Sequence, residues 1–103
     1  MNIRNKEAIT ASIIIVNYKV AHLINDCIQS IIDDPQKPEF EILLIDNSCD
    51  PKENKAVENL QKKWDQIHLV INEENVGFSK ANNKGLSVAK GEYIVFLNPD
   101  TLV

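Results

Sequence analysis

The sequence has few of the residues that mark disulfide-bonded, metal-binding or secreted proteins. Cys27 and Cys49 lie far apart and form no C-x-x-C pair, which excludes a disulfide framework, so we expect two reduced thiols in a cytosolic chain. No apolar run approaches the roughly 20 residues of a membrane span, and the first ten residues lack the apolar segment of a signal peptide. Three glycines and four prolines are too few for collagen-like or low-complexity chains.

An excess of positive charge is also absent. Eleven Lys and Arg stand against fifteen Asp and Glu, which gives a formal net charge of −4. Proteins that hold DNA or RNA through its phosphates carry a basic stripe, so we expect no nucleic-acid partner. A chain of 103 residues that is 44% hydrophobic and 25% charged is typical of one globular domain.

Several short motifs with known chemistry are missing. The sequence contains no G-x-G-x-x-G, no G-x-x-x-x-G-K-S/T and no G-x-S-x-G, which excludes a dinucleotide fingerprint, a P-loop and a nucleophile elbow. His22 and His68 have no carboxylate or cysteine neighbours at the spacing of metal ligands, so we expect neither to bind a metal.

Four short apolar runs alternate with three amphipathic segments. The runs are 12–16, 41–45, 67–71 and 93–97, and their continuous Ile, Leu and Val content predicts parallel strands covered on both faces. The segments between them have apolar residues at helical spacing, which predicts an α/β fold of three layers, with helices on both sides of a parallel sheet of about four strands.

The ends of the helices also leave signals. Pro35 and Pro38 end the first helix, Pro51 opens the second, and Gly91 is expected to cap the third at its carboxyl end. Phe78 begins the apolar stripe of the third helix, so we expect it in the core.

Polar side chains follow every predicted strand. In open parallel sheets, ligands bind at the carboxyl ends of the strands, where the strand order reverses. The residues there are rich in Asn and Asp and nearly free of Lys and Arg, although these residue types also form turns, so a structural α/β module with no ligand stays open. A receiver that accepts phosphate on Asp is excluded, because the first strand is followed by Asn17 and Tyr18 instead of an acidic pair.

At these turns the sequence resembles family 2 glycosyltransferases, which have the GT-A nucleotide-sugar-binding fold. The matching segments are S-I-I-I-V-N-Y (12–18), E-I-L-L-I-D-N-S (41–48), N-E-E-N-V-G-F-S-K-A-N-N-K-G (72–85) and G-E-Y-I-V-F-L-N-P-D-T (91–101). The third and fourth segments look most like the rhamnosyltransferase-like branch. The resemblance implies strand order 3-2-1-4, with an N-terminal extension over 1–10 and the nucleotide-sugar-binding half of a GT-A domain over 11–103, truncated after strand four.

The resemblance also implies a role for residues at each turn. Asp46 would accept the N3–H of a uracil or thymine ring, and Asn17 and Tyr18 would line the nucleoside pocket. Asn82 or Asn83 would face the base and ribose, and Lys80 would either approach phosphate or remain a solvated side chain. The amino end of the third helix, near Gly77, would favour the anionic diphosphate because of its unpaired N–H groups and its dipole.

After strand four, Asn98-Pro99-Asp100 occupies the place of the family's D-x-D signature. Asp100 would ligate Mg²⁺ or Mn²⁺ together with the diphosphate, and Asn98, which stands in for the first Asp, would hydrogen-bond a ribose hydroxyl. The divalent cation offsets diphosphate charge in the leaving group.

The resemblance implies an inverting glycosyltransferase that uses a UDP- or dTDP-sugar and a saccharide or glycolipid acceptor in envelope polysaccharide synthesis. The general base would lie downstream of Val103, so we expect the 103-residue piece to bind nucleotide without turnover. We expect a cytoplasmic protein, peripheral at the inner face of the membrane in its full length, and self-association through the open edge of strand four.

Overall fold

A computed structural model of the chain describes residues 9–36 and 39–99, arranged as alternating strands and helices. The elements are β1 (Ala11–Asn17), α1 (Ala21–Asp33), β2 (Phe40–Asp46), α2 (Pro51–Lys63), β3 (Ile67–Ile71), α3 (Phe78–Val88) and β4 (Tyr93–Phe96). All strand pairs are parallel and the order is β3-β2-β1-β4, which confirms the predicted α/β class and strand order. None of the helices in these described ranges is long and apolar enough to cross a membrane.

The two central strands are buried along their whole length, as their apolar composition predicted. The prediction that all four strands are covered on both faces is wrong for the edge strands, because β3 and β4 have only one neighbouring strand each and most of their residues are half-buried or exposed. Alternate residues of β1 and β2 pack on opposite faces of the sheet. Ile15 and Leu44 face α1 and α2, whereas Ile14 and Leu43 face Ala81 of α3. The three-layer arrangement is therefore confirmed, and it leaves the carboxyl ends of the strands as the edge where turns meet.

Helix α2 begins as predicted. Asp50 is its N-cap and its side chain accepts a hydrogen bond from the backbone N–H of Lys52, while Pro51 occupies the first turn, where a missing N–H costs nothing. Helix α1 differs, because its N-cap, Val20, offers no side-chain hydrogen bond.

The prediction that Gly91 caps α3 is wrong. The helix ends at Val88 with Ala89 in an extended conformation, and among the described glycines only Gly77 has a positive φ, of 86°. The position of Gly91 leaves no room for a side chain, because a Cβ there would lie 2.6 Å from the backbone nitrogen of Ser12. Its own N–H donates to Ser12 Oγ over 2.7 Å, which holds the α3–β4 turn against β1.

The expectation that Phe78 lies in the core is also wrong, since its side chain is 66% exposed. Gly77 O contacts the side chain of Asn47, the residue after the last residue of β2, so α3 begins past the end of that strand. The first turn of α3 therefore has no strand beneath it to cover Phe78, and the helix buries only Ala81 and Gly85.

Candidate functional site

The carboxyl ends of β1 and β2 bring Asn17 and Asp46 together. The two residues are register partners and both are fully buried. Asn17 Nδ2 donates to Asp46 Oδ1 over 3.1 Å, and the backbone N–H of Ser48 donates to the same oxygen over 3.1 Å. Asp46 Oδ2 is buried and has no hydrogen-bond partner in the part of the chain that the structure describes. A buried acceptor without a donor is costly, so this oxygen is the first candidate for a ligand contact.

Asn17 also connects the β1–α1 turn to the β2–α2 turn. Its Nδ2 lies 3.3 Å from both Ser48 Oγ and Glu53 Oε1, and its Oδ1 accepts from the backbone N–H of Val20 over 3.0 Å. Ser48 Oγ in turn accepts from the backbone N–H of Lys19 over 2.7 Å. The two turns are thus held as one unit by buried hydrogen bonds.

Backbone strain is concentrated in this unit. Lys19 and Cys49 adopt left-handed conformations with φ of 60° and 56°, and among the described residues no other non-glycine residue has a positive φ. Such a conformation costs about 1–2 kcal/mol for an L-residue. The hydrogen bond from the N–H of Lys19 to Ser48 Oγ and the buried amide of Asn17 hold these turns in place.

A second amide, Asn47, fixes the loop between β3 and α3. Its Nδ2 donates to Asn75 Oδ1 over 2.7 Å, and its Oδ1 accepts from Asn72 Nδ2 and from the N–H of Val76, each over 3.1 Å. Asn75 Oδ1 also accepts from the N–H of Gly77, the N-cap of α3, over 2.9 Å. The amino end of α3 is therefore held at the same edge as Asp46, as the sequence predicted.

The side chains near that helix end differ in their surroundings. Asn82 is half-buried, whereas Asn83 and Lys80 are exposed. Lys84 Nζ donates to Asn72 Oδ1 over 2.9 Å, so the side chain of Lys84 braces the β3–α3 loop. A cleft of about 650 Å³ lies beside the side chain of Lys84, and none of the predicted ligand residues lines this cleft. Its lining residues are Ile71, Asn72, Glu73, Glu74, Val76 and Lys84.

The other residues predicted to contact a ligand are Tyr18, Asn98 and Asp100. Tyr18 is exposed, with the ammonium of Lys19 5.3 Å from its ring centroid. Asn98 is exposed and follows β4, whose neighbour in the sheet is β1. Because β2 and β4 are two strand spacings apart, Asp46 and Asn98 are separated by about 10 Å across the sheet, roughly the span of a nucleoside. Asp100 lies outside the described residues.

The described residues offer no protein cage for a metal ion. Within 9–36 and 39–99, no group of three or more His, Cys, Asp or Glu side chains has the geometry to hold one. His68 Nε2 lies 3.5 Å from Glu41 Oε1, near the start of β2 and away from the carboxyl edge. A divalent cation at this edge would need Asp100, which lies outside these ranges, and the oxygens of a ligand.

Two positioning residues escaped the sequence reasoning. Glu53 follows the N-cap Asp50 at the capping-box spacing, which predicts that it reaches back to its own helix end. In the structure Glu53 reaches α1 instead, where Oε1 accepts from the N–H of Ala21 over 3.1 Å. Asn47 lies within the segment 41–48 and carries no signal of its own, because its partners come from a loop 25 or more residues away.

Comparison with known proteins identifies the family of the chain. A family description, Glycosyl transferase family 2, matches residues 12–103. The chain belongs to glycosyl transferase family 2. This confirms the resemblance carried by the four turn motifs, and the parallel sheet with its Asn- and Asp-rich edge is the family 2 fold in this chain.

Similar family 2 proteins include TuaG of Bacillus subtilis (strain 168), named for teichuronic acid biosynthesis, which is 32% identical over 89 residues. That match covers 86% of this chain and 35% of TuaG. A structure of S. aureus TarS 1-349 in complex with UDP superposes with a TM-score of 0.73 and 28% identity, covering 89% of this chain and 28% of that one.

The mannosyltransferase PcManGT from Pyrobaculum calidifontis, solved in complex with GDP-Man and Mn²⁺, has a TM-score of 0.78. At 24% identity over 94% of this chain and 29% of that one, it shows the shared fold alone. The chain thus spans about a third or less of the length of these family 2 relatives.

Proposed function

We propose that this chain forms the donor-binding part of an inverting glycosyltransferase. The donor is a UDP- or dTDP-sugar, and the acceptor is a saccharide or glycolipid in cell-envelope polysaccharide synthesis. The observation that carries the proposal is the fully buried carboxylate of Asp46, whose Oδ2 has no partner among the described residues. An ionised carboxylate only accepts hydrogen bonds, so it matches the N3–H of uracil or thymine.

Binding of a base at Asp46 requires a small opening. Oδ2 has almost no accessible surface in this structure, so the ligand must displace part of what covers it. The turns that follow β1 and β2 contain the two left-handed residues, Lys19 and Cys49, and each is exposed. We propose that these exposed turns are the part that moves.

The diphosphate belongs at the amino end of α3. The N-cap, Gly77, has no side chain to cap the helix, and the N–H groups of a helix end favour an anion by about 0.3–1 kcal/mol when exposed. Asn82 and Asn98 are the side chains proposed to contact ribose, and Tyr18 lines the nucleoside pocket. A divalent cation, Mg²⁺ or Mn²⁺, held by Asp100 and the diphosphate would neutralise the charge of the leaving group.

The reaction divides between this chain and residues beyond it. The acceptor hydroxyl attacks the anomeric carbon, a general base downstream of Val103 takes its proton, and the bond from that carbon to the phosphate oxygen breaks as nucleoside diphosphate leaves. The 103 residues supply donor binding and no base, so we propose that they bind nucleotide without turnover.

Relatives support the class of ligand. TarS was solved with UDP, and TuaG is named for the synthesis of an envelope polymer. The rhamnosyltransferase-like branch, the cytoplasmic location and peripheral attachment at the inner face of the membrane are parts of the same proposal that rest on the resemblance.

Titration of UDP, dTDP and GDP, followed by amide shifts in NMR spectra with and without Mg²⁺, tests the proposal. We expect UDP or dTDP to shift residues around Asp46, Asn82 and Asn98, and GDP to bind more weakly. Asp46→Asn keeps the shape but loses the charged acceptor, and should raise Kd about tenfold or more. Asp26→Asn, on the exposed side of α1, is the matched control. Absence of shifts with all three nucleotides would leave the non-catalytic α/β module.

A further inference from the structure

We propose that Glu53 is a positioning residue of the nucleotide site, which acts on Asp46 through the side-chain amide of Asn17. This inference rests on the proposed function, since it concerns how the same site is kept ready for its ligand. It assigns a role to a carboxylate in the first turn of α2 that lies outside all four turn motifs.

Glu53 links three elements through a single oxygen. Oε1 accepts from the N–H of Ala21 over 3.1 Å and lies 3.3 Å from Asn17 Nδ2. Ala21 is the first residue of α1, whose own N-cap, Val20, makes no side-chain cap. A residue of α2 thus replaces the missing cap of α1 and joins it to the end of β1.

The hydrogens of Asn17 are fully used in this arrangement. An amide nitrogen carries two hydrogens, and here three acceptors surround it, namely Asp46 Oδ1 at 3.1 Å and Ser48 Oγ and Glu53 Oε1 at 3.3 Å. The other end of the amide accepts from the N–H of Val20, so a flip would set a carbonyl oxygen against two carboxylates. Glu53, together with Asp46 and the N–H of Val20, therefore fixes which way the amide faces.

That orientation decides which oxygen of Asp46 is left for a ligand. Asn17 Nδ2 and the N–H of Ser48 both donate to Oδ1, and Oδ2 has no partner in the described part of the chain. Without Glu53, the amide of Asn17 loses one of its acceptors and the first turn of α1 loses its cap. The contact between Asn17 and Asp46 Oδ1 then loosens, although the N–H of Ser48 still donates to that oxygen, and the ligand must restore the orientation of the carboxylate on binding.

Three variants separate positioning from plain destabilisation. Glu53→Ala removes the acceptor, Glu53→Gln keeps a carbonyl oxygen at the same place, and Glu58→Ala removes an exposed carboxylate from the same helix. We expect Glu53→Ala to raise the Kd for UDP about five- to tenfold, the effect of losing about one hydrogen bond. Glu53→Gln should stay within about twofold of wild type because its Oε1 accepts the same two bonds.

A second readout reports on the amide directly and needs no nucleotide. The side-chain ¹H–¹⁵N signals of Asn17 should be protected from solvent exchange in the wild type and in Glu53→Gln, and should shift and lose protection in Glu53→Ala. Loss of UDP affinity together with loss of this protection supports the inference. Measurements far below the melting temperature keep every variant folded.

Three results would overturn it. Wild-type affinity in Glu53→Ala would remove the positioning role, and equal weakness of Glu53→Gln and Glu53→Ala would show that charge rather than hydrogen-bond acceptance matters. Equal losses in Glu53→Ala and Glu58→Ala that track the melting temperature would show general destabilisation. If wild type binds neither UDP nor dTDP, the proposed function itself fails and the inference falls with it, a pattern distinct from the other three.

Discussion

Helix α3 rests on the sheet through a glycine, and replacing that glycine tests how the edge is built. Gly85 is buried in the middle of α3, facing the fully buried side chain of Ile14 on β1. A Cβ at Gly85 would lie 2.8 Å from Ile14 Cγ2 and 3.3 Å from Ile14 Cγ1. The first distance is too short for two carbon atoms, so either the helix or Ile14 must shift.

Two opposing effects set the size of the change. Ala is preferred over Gly inside a helix by about 1 kcal/mol, which favours Gly85→Ala. Overpacking a filled core costs typically about 1–3 kcal/mol, and the branched side chain of Ile14 has few alternative rotamers. We therefore expect Gly85→Ala to lower the free energy of unfolding by up to about 2 kcal/mol.

A double-mutant cycle with Ile14→Ala gives the sharper test. Ile14→Ala alone costs about 2–5 kcal/mol because it leaves a cavity. In that background the clashing Cγ2 is gone, so Gly85→Ala should stabilise the protein by about 1 kcal/mol through helix propensity.

Urea unfolding, followed by the fluorescence of Trp64, the one tryptophan, gives the free energy of unfolding of all four proteins. Sulfate in the buffer keeps the least stable variant folded before urea is added. The sign of the Gly85→Ala effect should reverse between the two backgrounds. The same sign in both would refute the contact between Gly85 and Ile14.

Two further predictions concern the thiols and the open edge. Burial raises the pKa of the Cys27 thiol above its usual 9.0, so unfolding should release a proton only at high pH. The free energy of unfolding attributable to this group should be constant below pH 9.0 and fall above it, and a thiol reagent should modify exposed Cys49 long before Cys27. We also expect the chain to self-associate through β4, where Tyr93, Val95 and Phe96 are exposed on an edge strand, whereas Val95→Lys should stay monomeric. A monomer at high concentration in light scattering would contradict this.

The order of elements was predictable because the apolar composition of β1 and β2 indicates that both strands are buried. A strand covered on both faces needs apolar residues at every position, and the runs 12–16 and 41–45 have almost nothing else. Pro51 marked the start of α2 for an equally local reason. The predicted roles of Gly91 and Phe78 were wrong because residues distant in the sequence set their surroundings. Ser12 leaves no room for a side chain at Gly91, and β2 ends before it can cover Phe78.

The candidate site was predictable only in part. Strand ends placed Asn17 and Asp46 at one edge, and the structure brings them into contact. The sequence did not reveal that Asn17 is fully buried and that its amide is hydrogen-bonded to neighbouring residues. In this structure the side chain of Asn17 holds the turns together. The contacts of Glu53 and Asn47 cross 25 or more residues, and a single sequence carries no pairing signal over that distance.

The abundance of Asn at this edge has a physical explanation that composition alone does not provide. An amide donates and accepts without adding charge, so Asn17, Asn47 and Asn72 can be buried at the ends of neighbouring strands and join their turns. Carboxylates in their place would repel Asp46, and lysines would pair with its free oxygen and block a ligand. Neutral amides support the loops and leave Asp46 Oδ2 without a partner among residues 9–36 and 39–99, which is the property that the proposed recognition of a base by its N3–H requires. The same amides leave the backbone N–H groups at the start of α3 as the positive end that an anionic diphosphate would meet.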